Sequence, residues 1–236
     1  MNQLPLGTDP RTDILRRSQA ALIARFGRIE ARPDHRRDPV WVLVQGVIGA
    51  RTRSEVSNAT TDALLADHGS WEAVAEAPVA ELTERLAKQS FPELSARRLK
   101  ECLGAIIAAR GEADLRHLSN LPTAEAIARL ETLPGVGRKI AAGVMNTSLF
   151  GRRAMVIDGH HRRIMQRMGL VPPRADTKRA YDALMPLVPD EWSAADIDEH
   201  HLLLKTLGRS HCRPRAPRCD GCPLRGDCRT GQGVWH

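Results

Sequence analysis

Apolar residues recur along this chain at intervals of three and four, the spacing that lays them along one side of a helix, while runs of β-branched residues are sparse. The clearest stripe is Leu99, Cys102, Leu103, Ile106 and Ile107, which predicts a helix over 94–110 and places Cys102 in a core. The same periodicity predicts helices over 12–27, 40–49, 70–77 and 79–88. Another runs toward Gly69 from a capping box read in Thr52-Arg53-Ser54-Glu55. Residues 111–122 read as a loop, Thr123 as the cap of a helix over 124–132, and Gly135-Val136-Gly137 as a turn into a helix ending near Phe150. A further helix begins at Gly159, with Asp158 at its N-cap and Gly169 closing it. The fold class expected is all-α, without internal repeats, and a charged connector from Arg32 to Pro39 follows the first helix.

Composition narrows the class. A chain of 236 residues with 42% apolar content can bury a core and form one or two compact domains. Lys and Arg exceed Asp and Glu by 35 to 28, so the chain attracts polyanions. From Leu133 to Leu170 the single acid is Asp158, against Arg138, Lys139, Arg152, Arg153, Arg162, Arg163 and Arg167. Acids gather instead at Asp182, Asp190, Glu191, Asp196, Asp198 and Glu199, which predicts one phosphate-facing and one solvent-facing side. The N-terminus lacks an apolar leader and the stretch Val40–Ala50 is too short for a bilayer, so a cytoplasmic protein without membrane contact is expected. In a reducing compartment clustered cysteines point to metal or redox chemistry before disulfides.

Four features carry candidate chemistry. Gly135, Val136, Gly137 and Arg138 lie between two helical patterns, where glycines leave amides open and the next helix adds its positive end, a site for a DNA backbone. Lys139 sits in that helix's first turn, where the dipole and neighbouring arginines disfavour a protonated amine. A neutral amine attacks a sugar carbon and goes on to a Schiff base. Asp158 at its N-cap keeps an ionised carboxylate, able to steady positive charge on a sugar or to activate the lysine, and such a cap also serves stability alone. His160, His161, His200 and His201 read as surface or packing residues. Cys212, Cys219, Cys222 and Cys228 form C-x6-C-x2-C-x5-C, and four thiolates within 17 residues suit a structural zinc or a 4Fe-4S cluster. Arg213, Arg215 and Arg218 between the first two ligands offer charge to a phosphate.

Together, LPGVGRK, the later V-I-D-G-H segment and the cysteine spacing resemble the helix-hairpin-helix DNA glycosylases, most closely the endonuclease III group, from about Asp38 to Cys228. The resemblance implies a six-helix barrel domain over 38–150 and a discontinuous domain of 1–37 and 151–236 with a 4Fe-4S loop at 212–228. It implies a monomer acting near the nucleoid on double-stranded DNA that holds a damaged base, usually an oxidised pyrimidine, or an abasic site. Lys139 would displace the base and nick the strand by β-elimination, with Asp158 as the essential acid. Extruding a nucleotide leaves a gap, and the group's gap-filling glutamine and leucine align with Arg51 and Phe91. Other departures are Gly159 in place of the usual threonine, a lysine-to-aspartate stretch one residue longer, an extended loop at 112–120, and Gly46 where adenine-mispair glycosylases carry glutamate. A monofunctional uracil or thymine-mismatch glycosylase and a non-catalytic DNA-binding module are the alternatives.

Overall fold

Asp38 starts the most apolar helix of the protein. In the computed structural model, which describes residues 9–29 and 36–234, its carboxylate accepts the Val40 N–H at 2.8 Å, and Pro39 supplies a preset φ at the first helical position. Residues 32–35 of the charged connector lie outside the described residues. The described residues form eleven α-helices and no strand, with one isolated parallel bridge between Arg37 and Ser148. None of these helices is long and apolar enough to cross a membrane. The chain divides into two units, one of Arg32–Ala154 and the other of Met1–Ala31 with Met155–His236.

In the Arg32–Ala154 unit, α2 (Pro39–Ile48) packs against α3 (Ser54–His68), α6 (Pro92–Arg110) and α8 (Arg138–Thr147). Val40, Leu43, Val44, Val47 and Ile48 are all buried, as a helix apolar on nearly every face requires. The helices α4 (Trp71–Glu76) and α5 (Val79–Arg85) cover α6. Leu99, Cys102, Leu103 and Ile106 of α6 face this core, with Ile107 half-buried at its rim. Burial pushes the Cys102 thiol up to about 12, so it stays neutral and inert.

Several local expectations need correction. Arg53, not Thr52, is the N-cap of α3, and it makes no side-chain capping bond because a guanidinium has no acceptor, while the Thr52 hydroxyl accepts from Ser90 N–H instead. Thr123 is the first residue of α7 (Thr123–Leu130) and Pro122 its cap, while the loop before it contains a 3-10 turn, Arg116–Asn120. The helix expected to reach Phe150 ends at Thr147, where Ser148 turns extended and Leu149 N–H donates to Arg37 O at 3.0 Å.

The other unit packs α11 (Ala194–Ser210) against α1 (Pro10–Phe26) and α9 (Gly159–Met168), with α10 (Thr177–Leu184) beside α9. A capping box does open α11, where Ser193 and Asp196 bond reciprocally. Glu199, counted among the solvent-facing acids by sequence, is buried and accepts from Gln19 Nε2 and from Ile29 N–H, both at 2.8 Å.

Candidate functional site

The turn between α7 and α8 is built by residues of opposite character. Val136 buries its side chain, and its N–H closes the turn on Leu133 O at 3.1 Å. Gly135 takes φ +77°, where a side chain would be strained. Arg138, placed by sequence among the phosphate contacts, turns its guanidinium onto Glu131 in a bidentate, largely buried pair at 2.8 and 3.0 Å, and so ties α8 back to the end of α7. Within the described residues, the N–H groups of Gly135, Gly137 and Lys139 donate to no acceptor. Gly137 has an ordinary φ of −104° and nothing within 4 Å of where a Cβ would stand, so no neighbour in the chain demands glycine there. The open space faces outward, and the exposed Lys139 stands next to it in the first turn of α8. Below, α8 approaches α2 so closely that a Cβ on Gly46 would come within 2.8 Å of Ile140 Cγ2.

In the same unit, Arg51 and Phe91 come together. Phe91, at the N-cap of α6, is 44% exposed and therefore no core residue. The Arg51 guanidinium lies 5.8 Å from its ring centroid. Arg51 is the one non-glycine described residue at positive φ, +56°, a conformation that costs about 1 kcal/mol.

Asp158 belongs to the other unit and caps α9, accepting His160 N–H at 2.8 Å and His161 N–H at 2.9 Å on one carboxylate oxygen. Burial opposes its charge, but nearby His201 and the His161 N–H outweigh burial and hold the carboxyl below its ordinary value. The packing reading of the histidines applies to His161, His200 and His201, which are buried, whereas His160 is only partly so. Burial pushes the His161 imidazole down to about 4 and His200 well below its usual range, so both are neutral near pH 7. His161 is locked by its Nδ1 on Val156 O at 3.1 Å and stacks on His201, giving the Asp158 cap a rigid floor that periodicity could not reveal.

The four cysteines are half-buried. Burial, and after it the Cys212 and Cys219 thiols, push Cys222 and Cys228 upward, so thiolates at these two positions need a cation beside them. Gly231 N–H approaches Cys228 Sγ at 3.4 Å and Arg167 Nη1 approaches Cys212 Sγ at 3.2 Å, the kind of donors thiolates take up. Among the described residues no three His, Cys, Asp or Glu converge on a single metal-ion position. Sequence gave no hint that Arg163 and Arg167 of α9 would clasp this loop. Arg163 donates to Cys212 O at 2.7 and 3.0 Å, and Arg167 to Arg213 O at 2.7 Å and Pro214 O at 2.8 Å. Arg213 and Arg215 themselves are exposed.

A family profile described as HhH-GPD superfamily base excision DNA repair protein matches residues 44–190. Endonuclease III of Bacillus subtilis (strain 168) is 40% identical over 104 residues, 44% of this chain and 45% of that protein, so this match spans less than half of the relative's length. Endonuclease III of Thermotoga maritima is 27% identical over 201 residues, 83% of this chain and 87% of that one. Among solved structures, a non-covalent endonuclease III–DNA complex is similar with a TM-score of 0.72 at 24% identity, covering 94% of this chain and 97% of that chain. The structure of a thermostable thymine-DNA glycosylase gives 0.73 at 20% identity, covering 95% and 100%. At these identities the likeness establishes the all-helical fold.

Proposed function

Because the chain belongs to the HhH-GPD superfamily of base excision DNA repair proteins, we propose that it excises a damaged base from duplex DNA and nicks the strand there, with Lys139 as nucleophile. The observation that carries this is an exposed amine in the first turn of α8, beside three backbone N–H groups without acceptors among the described residues. The amides of Gly135, Gly137 and Lys139, with the positive end of α8, grip a phosphate without reading sequence, while the Arg138–Glu131 pair keeps the hairpin in shape.

The target nucleotide must leave the stack before its sugar can be reached. The neutral Lys139 amine attacks the anomeric carbon, and the glycosidic bond breaks with its electron pair and a proton going to the base. The nitrogen keeps its last proton as its lone pair opens the sugar ring to an iminium, and the departing ring oxygen takes up a proton from water. Loss of a proton from the neighbouring sugar carbon then expels the 3′ phosphate oxygen, which is β-elimination. Asp158 supplies the negative charge that steadies the sugar's developing positive charge. Arg51 and Phe91 fill the vacated space, and Arg213 and Arg215 hold the backbone farther along.

Cys212, Cys219, Cys222 and Cys228 would hold a 4Fe-4S cluster. Only the middle pair has the C-x2-C spacing of a zinc knuckle, and that donor pattern favours the iron-sulfur centre over zinc. When bound, the cluster would cross-link the loop that carries Arg213 and Arg215. An anaerobic preparation should absorb broadly near ~400 nm and contain about four irons per chain; zinc without iron would overturn this assignment.

The substrate range is tested by a panel of duplexes carrying oxidised pyrimidines, uracil, thymine mispairs or an abasic site, with borohydride added. Strand scission and a covalent protein–DNA adduct on the abasic duplex are expected, with base release on at least one lesion. Base release with no scission would identify a monofunctional enzyme. Inertness toward the whole panel would leave only a DNA-binding module.

A further inference from the structure

Two loops separated by almost forty residues are laced together at Thr52 and Ser90. Ser90 N–H donates to Thr52 Oγ1 at 3.0 Å, and Ser90 Oγ–H donates to Arg51 O at 2.9 Å. The Thr52 hydroxyl is shared between Ser90 Oγ at 3.3 Å and Ala50 O at 3.4 Å. Both flanks are fixed as well. Gln89 is buried and donates to Thr60 Oγ1 at 3.0 Å, and Pro92 starts α6 immediately after Phe91. The carbonyl that Ser90 holds is that of the residue at φ +56°, so this lacing sustains the strained backbone under the Arg51–Phe91 pair.

A strained backbone carrying an exposed cation over an exposed aromatic ring gains little for the folded chain alone. DNA that has lost a nucleotide from its stack offers what the pair needs: two base faces for a ring and an orphaned base with acceptors for a guanidinium. Held apart on mobile loops, the two side chains would have to be ordered at each encounter, and pre-ordering removes that cost. With Arg51 and Phe91 as the gap-filling pair proposed above, we propose that Thr52 and Ser90 are positioning residues that latch the two side chains in register as one plug. This rests on the nucleotide extrusion proposed above, and it adds two residues that touch neither DNA nor the reacting atoms.

The test is equilibrium binding of the full chain to a dye-labelled duplex containing a tetrahydrofuran abasic analogue, set against the same duplex intact. The ratio of the two affinities reports gap filling without catalysis, so it stands apart from the assignment of Lys139. Ser90→Ala and Thr52→Val are each expected to lower the ratio by about tenfold, and Ser90→Thr, which keeps the hydroxyl, to restore it. Thermal melting of each variant separates a damaged fold from a loosened latch. Hydroxyl-free variants that keep the parent ratio, whatever their melting temperature, overturn the proposal, as does a Phe91→Ala chain with an unchanged ratio. A parent chain that binds both duplexes equally overturns the extrusion reading and the latch with it.

Discussion

Replacing Lys139 by Gln is expected to abolish borohydride trapping and to slow strand scission by about a thousandfold or more, because no other group on the hairpin offers an amine at that place. The side chain is exposed and Gln is a good helix former, so α8 and its seat on α2 should stand unchanged in a melting experiment. Affinity for abasic DNA should fall far less than trapping does, since one charge is lost while the amides of Gly135 and Gly137 remain. A Gln variant that traps as well as the parent removes Lys139 from the mechanism.

The second large effect is at Asp158, where stability and chemistry can be separated. Asn offers the same oxygen to His160 N–H and His161 N–H, so Asp158→Asn keeps the cap and should melt within about 1 kcal/mol of the parent. Ala offers none, and Asp158→Ala should lose about 1 kcal/mol. Base excision is expected to fall about a hundredfold or more in both, because both lack the negative charge. The carboxyl is held below its ordinary value in the folded chain, so its stabilising charge is present above the unfolded value near ~3.9 and disappears as pH falls through the folded one. At neutral pH the comparison therefore measures a full charge against none. An Asn variant with parental excision would reduce Asp158 to a helix cap.

Local chemistry was legible wherever a few consecutive residues decide the outcome. Asp158 reads as a cap because Asp followed by a helical run leaves its oxygen near two free amides, and it does so here. Gly69, Gly111 and Gly169 end their helices in the left-handed conformation, as glycine after a periodic run does. The Thr52–Glu55 capping box failed for a reason no local window contains: Ser90, on another loop, claims the threonine hydroxyl. Arg138 looked free in a run of cations until Glu131 met it across the hairpin, and Glu199 looked solvent-facing until α1 packed against α11.

By itself the sequence determined the helices from α1 to α9 to within a few residues, the buried stripe of α6, the Asp158 cap, the hairpin and the spacing of four thiols, since propensity, capping and periodicity act within a turn or two of the chain. Only the tertiary structure decided which charges are spent on each other, which histidines lose their charge, and that Arg51 comes to rest on Phe91 over a latch of two hydroxyls. Desolvation and hydrogen bonds between distant segments depend on what packing brings within a few ångströms, and that distance is not a property of any stretch of sequence.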